Sequence, residues 1–288
     1  MTLASCDSRK TAGENPFFTQ WDTPHGVPPF DKILPEHFMP AFERGMSLHE
    51  AEIDTITSNK DEATFENTIL AYDNAGQMLA QTELVFGMLC AAETNDRMQA
   101  LQEQAMPLLA AHRDKIRLDD KLFVRVKEVY DRRAALGLDA EQMRLLQKTY
   151  DSFVRAGALL GAVPKARLKE INGQLSLTAV KFGNNILAEN NNFVLELKSD
   201  ELDGLPAGIR DAAREKAQQM GKGDKWVFTL HKPSLIPLLT YSTRRDLREK
   251  IYKAYLNRCN NGDEYDNKQL INDFIRLRTE KAHLLGYP

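Results

Sequence analysis

Six histidines decide most of the chemistry open to this 288-residue chain: His25, His37, His49, His112, His231 and His283. A helical zinc-peptidase site has the form His-Glu-x-x-His, because histidines four apart project from one helix face to share a metal while the glutamate between them activates its water. The nearest approach here is His49-Glu50-Ala51-Glu52-Ile53, with isoleucine where the second ligand is needed. No catalytic residue and no metal ligand is therefore assigned. His49 and His112 fall on apolar helical stripes and read as hydrogen-bonded histidines of the core or between helices, while His283, beside a lysine, reads as a partly exposed surface group. The sequence contains no Gly-x-Ser-x-Gly elbow, phosphate-cradling glycine loop or dinucleotide fingerprint.

Other charged clusters have structural explanations. The pairs Asp61-Glu62 and Asp119-Asp120 stand at predicted helix starts, where the macrodipole favours negative charge. Arg244 to Lys250 alternates in sign, as a solvated helix face does. Trp21 and Trp226 read as packing anchors. The cysteines at 6, 90 and 259 are too few and too dispersed for a disulfide framework or a zinc pair, and Cys90 and Cys259 read as small buried hydrophobes. Cys6 differs: it ends Leu3-Ala4-Ser5-Cys6, which resembles the bacterial lipobox, and Asp7 to Glu14 is polar enough for a tether. Only five residues precede it, without the charged and apolar parts of a secretory signal. Either the true start lies upstream, or the match is chance. Lipid attachment at Cys6 would place the protein in the cell envelope or periplasm; without it, the expectation is cytoplasmic.

The elements that must position these groups are helical. Hydrophobic residues make up 42% and charged residues 27%, the proportions of a chain that can bury a core. A formal charge of -3 gives no bulk electrostatic case for nucleic acid. Apolar runs such as Leu108 to Ala111 and Leu235 to Leu239 fall far short of the roughly 20 residues of a membrane-spanning helix. Periodicity predicts helices opening at Pro35, at Thr64 and running through Phe86, after Asn95 with Leu108 facing inward and a kink at Pro107, after Asp119 through Leu136, after Asp139, and at Pro164. Phe193 to Leu197 and Trp226 to Leu230 predict two short strands, with a turn at Asp203-Gly204-Leu205-Pro206 and an alanine-rich helix between them. Ser242 or Thr243 is expected to cap a helix carrying Asp246/Lys250 and Glu249/Lys253 pairs, and a last helix runs from about Asn267 to Gly286. The expected fold class is mainly α, a multi-helix array with one small two-stranded element near residues 193–230. The expected organisation is a tail or lipoprotein tether over 1–14, a helical domain over 15–160, and a segment over 161–288 leading into a missing catalytic region.

Several blocks carry a family likeness. Asn15-Pro16-Phe17-Phe18, Pro28-Pro29-Phe30, Glu36-His37-Phe38, Thr64-Phe65-Glu66-Asn67-Thr68-Ile69, Lys165 to Asn172 and Leu277 to Pro288 occur in the order found in the amino-terminal region of the thimet-oligopeptidase-like zinc metallopeptidases. Within that family the chain most resembles the bacterial peptidyl-dipeptidase branch, over about residues 15 to 288. The resemblance implies a mostly helical body divided by a deep channel that admits short peptides, this chain forming one wall. It implies zinc as cofactor of a full-length parent, held by a His-Glu-x-x-His helix and a third glutamate in a carboxyl-terminal half that is absent here, so that no ligand can be carried onto any residue of this chain. The partners it implies are short peptides and that missing half, with a membrane contact only through a lipid anchor. The chain alone is expected to be inactive; the alternatives are an oligopeptidase of the same family or a stand-alone helical protein that binds peptides or a partner. Mass spectrometry of protein made from the native gene should find acylated Cys6 as the first residue, and an intact unmodified amino terminus would refute the anchor.

Overall fold

The computed structural model describes residues 15–288; Cys6 and its lipobox-like run lie outside the described residues. The described residues are mainly helical with one small antiparallel sheet, and they divide into two compact units, one running to residue 177 and including 279–288, the other residues 178–278.

In the first unit a short turn led by Pro35 feeds α1 (Phe38–Ser58). Thr64 then caps as its sequence suggests: its hydroxyl accepts from the Asn67 amide at 3.1 Å, and the Asn67 side chain accepts from the Thr64 amide at 2.8 Å. Beyond this cap the chain does not form the single helix expected through Phe86. A π-helical turn over Phe65–Leu70 leads into the short α2 (Ala71–Asp73), and the chain breaks at Gly76 before α3 (Gln77–Ala92). Gly76 has φ +75°, and a Cβ there would lie 2.9 Å from the His49 ring, so periodicity runs on through a position that packing forces out of the helix.

Helix α4 (Asp96–Arg117) is capped by Asn95 and continues through Pro107 as one element. Its inward face takes Ala105, Leu109, His112 and Ile116, while Leu108, expected inside, is 45% exposed. The spacing 105, 109, 112, 116 follows the helix period, and 108 falls one residue off it. Helix α5 (Asp120–Asp131) has Asp119 as cap, its carboxylate accepting from the Leu122 amide at 2.8 Å. It ends five residues before Leu136, which packs from a turn instead. After Asp139, as expected, α6 (Ala140–Ala156) starts, with an Asp139/Gln142 capping box whose reciprocal bonds are both made, at 2.9 and 3.1 Å. Asp61 and Glu62 are not caps: the Asp61 carbonyl accepts from Arg125, and the Glu62 side chain pairs with Arg132.

Two hydrophobic clusters stabilise this unit. One packs Phe38 and Phe42 edge-on against Phe86, with ring centroids 4.9 Å (Phe38–Phe86) and 5.3 Å (Phe42–Phe86) apart, and joins α1 to α3 and α4. The other packs Ile53 and Ile56 of α1 against Leu122, Val126, Leu146 and Phe153 of α5 and α6. Each such fully buried side chain contributes about 1.5–3 kcal/mol.

Helix α7 (Ala162–Asn192) begins two residues before the expected Pro164 and leads into the second unit. There β1 (Leu195–Leu197) is followed by α8 (Ala207–Gln219) and β2 (Trp226–Phe228), the strands pairing antiparallel with Leu195 opposite Phe228. Leu195, Leu197 and Phe228 form a core with Leu235, Leu238 and Ile251 from α9 (Lys232–Tyr241) and α10 (Arg245–Leu256). Neither Ser242 nor Thr243 caps α10. Thr243 instead ties back to the turn, its amide donating to the Asp203 carbonyl at 3.1 Å and its hydroxyl to the Asp203 carboxylate at 2.6 Å, and Arg244 occupies the cap position. Glu249 pairs with Lys253 at 2.5 Å as expected, but Asp246 turns to Arg244 at 2.7 Å rather than to Lys250. Helix α11 (Lys268–Leu284) is the last element, beginning just after Asn267, whose amide donates to the Cys259 carbonyl at 2.8 Å.

Arg125 of α5 is buried and fastens the loop between α1 and the π-helical turn. Its Nη1 donates to the carbonyls of Asn59 and Asp61 at 3.0 and 3.1 Å, and its Nη2 to the Asn67 side chain at 3.1 Å. Substituting Arg125→Met takes the donor from the Asn59 and Asp61 carbonyls, while the Asn67 oxygen keeps its Thr64 bond, and urea denaturation should show a loss of about 3 kcal/mol. Arg125→Lys should recover little, because an ammonium cannot reproduce the planar fork; an unchanged midpoint for the methionine variant would show that the clamp is dispensable.

Candidate functional site

The near-match at His49 to Ile53 lies in the middle of α1, and its geometry shows what these residues do in place of metal chemistry. Ile53 is buried in the core, so nothing at that position offers a ligand. His49 meets a histidine from another helix instead: His112 of α4, whose Nε2 lies 3.0 Å from His49 Nδ1. One of these nitrogens donates to the other. The other nitrogen of His112, Nδ1, sits 3.5 Å from Glu50 Oε1, and Glu50 is held in turn by Lys115 at 2.8 Å. Glu52, one turn along α1, accepts from the Gly76 amide at 2.7 Å and so supplies the cap that the start of α3 otherwise lacks.

This arrangement does not suit zinc. Two nitrogens sharing a tetrahedral zinc at ~2.1 Å stand about 3.4 Å apart with both lone pairs on the metal, whereas here they face each other at hydrogen-bond distance. Glu50 approaches the far side of His112, and Glu52 is committed to a backbone amide. Among the described residues, no group of three or more metal-ligating side chains comes together.

Burial gives the pair its electrostatics. Desolvation holds both imidazoles below their ordinary pKa; for His49 the neighbouring His112 adds to the depression, while for His112 the Glu50 carboxylate opposes it. Lys115, donating to Glu50, keeps that carboxyl below its usual range. The pair, with His112 buried and His49 half-buried, is thus a mainly neutral link between α1 and α4. The interhelix role expected for both histidines is found; that they bond to each other was beyond the reach of periodicity.

The remaining candidates are dispersed. His25 lies in a loop with φ +60°, His37 accepts from the Leu34 amide at 3.1 Å, His231 lies 3.2 Å from the Thr229 hydroxyl, and His283 is exposed on α11. Burial raises the Cys90 thiol, and burial with Glu189 beside it pushes Cys259 up to about 11, so neither presents a ready thiolate near neutral pH. Trp21 donates to the Pro16 carbonyl at 2.8 Å, and Trp226 lies under the Arg214 guanidinium at 4.7 Å, both as packing anchors.

Against this background, comparison with known proteins gives the class first. Residues 238–288 match the family model of Peptidase family M3. Over 275 residues, 95% of the chain, it is 36% identical to the dipeptidyl carboxypeptidase of Escherichia coli strain K12 and 34% identical to that of Salmonella typhimurium. It is 26% identical over 270 residues, 92% of the chain, to oligopeptidase A of E. coli. Each match takes in 40% of the relative. The chain is thus similar to these peptidases along nearly its whole length and to the M3 family model over its last 51 residues, and it spans about 40% of the relatives' length. Within that class its identity is higher to these dipeptidyl carboxypeptidases than to this oligopeptidase A.

The sign of the histidine shifts sets a pH dependence. Where folded imidazoles titrate below the ordinary 6.5, the unfolded chain binds more protons, so their contribution to stability is fully present above about pH 6.5 and is lost as pH falls through and below it. Urea midpoints should therefore fall between pH 7.5 and pH 5.5, and His112→Gln should make that fall shallower; a variant as steep as the parent would show that the pair does not set the dependence.

Proposed function

We propose that this chain builds one wall of the peptide channel of a zinc-dependent peptidyl-dipeptidase, which removes carboxyl-terminal dipeptides from short peptides. The observation that carries the reading is the higher identity to dipeptidyl carboxypeptidases than to oligopeptidase A along nearly the whole chain. The proposed enzyme has zinc as its cofactor, with ligands and general base on residues outside these 288. No residue of this chain is given a part in cleavage, because its one near-motif is a closed histidine pair with a core isoleucine in place of a ligand. If Cys6 is acylated, the site of action is the cell envelope; if not, it is the cytoplasm.

The test has two arms. The purified 288-residue chain should leave a blocked tripeptide intact and contain far less than stoichiometric zinc; turnover or a full zinc complement would overturn the assignment. Reading the gene past codon 288 should reveal a continuing frame with His-Glu-x-x-His. Its full product should release dipeptides from peptides with a free carboxyl terminus and lose this activity to a chelator. Cleavage that ignores amidation of that terminus would assign an oligopeptidase instead.

A further inference from the structure

In the first unit, α4, α6 and the first-unit parts of α7 and α11 line a cleft of about 460 Å³. Six cationic side chains face it: Arg113 and Arg117 of α4, Arg144, Lys148 and Arg155 of α6, and Lys281 of α11. Only two carboxylates, Asp114 and Asp151, share it, a formal surplus of four positive charges in a chain whose net charge is -3.

Both carboxylates are occupied. Asp114 accepts from the Asn172 side chain at 2.8 Å, and Asn172 accepts from Lys281 at 2.6 Å, so a hydrogen-bonded relay forms part of the lining. Asp151 accepts from Gln147 at 2.9 Å. Among the described residues, Arg144, Lys148 and Arg155 have no carboxylate within 4.0 Å. Arg144 and Lys148, like Arg113 and Arg117, are like charges four apart on one helix, an arrangement that opposes helix formation. A solvated helix face ordinarily alternates sign instead, as Arg244 to Lys250 does here.

The cations are strung out rather than focused on a point. Arg144 to Arg155 spans eleven residues of α6, about 16 Å at ~1.5 Å per residue. Arginine supplies four of the six, and its planar fork matches phosphate oxygens in pairs. The lining holds no aromatic ring on which a base could stack and no strand edge to which a peptide backbone could pair. From this juxtaposition we propose that the cleft binds an extended polyvalent oxyanion of the oligophosphate class, recognised through its charge and phosphate oxygens alone. The proposal is independent of the peptidase reading and needs no residue outside the chain.

Tripolyphosphate titrated into the 288-residue chain by calorimetry should bind saturably with one site. Sodium chloride at matched ionic strength and inorganic phosphate should give no comparable signal. The double variant R144Q/K148Q should weaken binding by about tenfold or more while leaving the ligand-free melting temperature unchanged or raised, since like charges are removed. On the unmodified protein, tripolyphosphate should protect Arg144 and Arg155 from phenylglyoxal, read by peptide mass spectrometry, so the proposal does not depend on a variant folding. Unchanged affinity in the double variant, absence of protection, or equal heat from sodium chloride would each overturn it. Adenosine triphosphate binding much more tightly than tripolyphosphate would overturn recognition by the phosphate chain alone, and tighter binding of a tetra-aspartate peptide would overturn the ligand class.

Discussion

The close approach of α1 to α3 is the constraint on which the first unit rests. Gly45 faces Leu79 so closely that a Cβ would lie 3.0 Å from the Leu79 Cα, and Gly76 meets the His49 ring at a similar distance. With Glu52 these positions fall at 45, 49 and 52, one face of α1. The two glycines let the helices touch, and that contact has several effects. Phe38 and Phe42 can meet Phe86 edge-on, Glu52 can reach the amide that starts α3, and His49 is directed at His112. An aromatic cluster, a cap and a buried polar link thus share one geometric cause, and larger side chains at 45 or 76 would disturb all three together.

How much of this was legible depends on how local each signal is. Asp139 with Gln142, Asn95 and Asp119 do in the structure what their spacing announced, because a cap is settled within three or four residues. The strands were legible for the same reason, as short runs of branched and aromatic residues between turn signals. The break at Gly76 was not, since the apolar period continues through it and only the His49 ring, supplied from 27 residues earlier, requires the left-handed glycine. Arg125 was hidden beside Val126 and Leu122 on a stripe that explained its neighbours, and its acceptors are backbone carbonyls more than sixty residues away. Thr243 failed as a cap for a related reason: Asp203, forty residues upstream, competes for it.

The histidine pair marks the limit of motif reading. Testing His49 to Ile53 against His-Glu-x-x-His gives a sound negative, because one substituted ligand position removes the shared metal. The negative says nothing of the positive role, which depends on a residue 63 positions distant. A buried histidine must find a partner or lose the hydrogen bonds that water supplied, and another imidazole is suited to this because it can donate or accept according to its tautomer. The same packing that joins the pair also depresses both groups, so it sets the link between α1 and α4 and its sensitivity to acid.

Energetics alone would not single out the cationic cleft. Like charges four apart cost only about 0.2–0.5 kcal/mol per pair, small beside the several kcal/mol contributed by a few buried phenylalanines, so the fold tolerates them easily. What separates the cleft from an incidental basic surface is that its charges come from helices distant in sequence. α4 and α6 each contribute a face, and the relay from Lys281 through Asn172 to Asp114 ties the last helix of the chain to both α7 and α4 beside that charge. The half-buried Asp114 carboxyl is held above its ordinary range by desolvation, despite the Asn172 bond and the surrounding cations that pull it down. A lining that brings six cations from three segments together around two carboxylates keeps a positive surplus, and such a field is met most completely by an anion from solution.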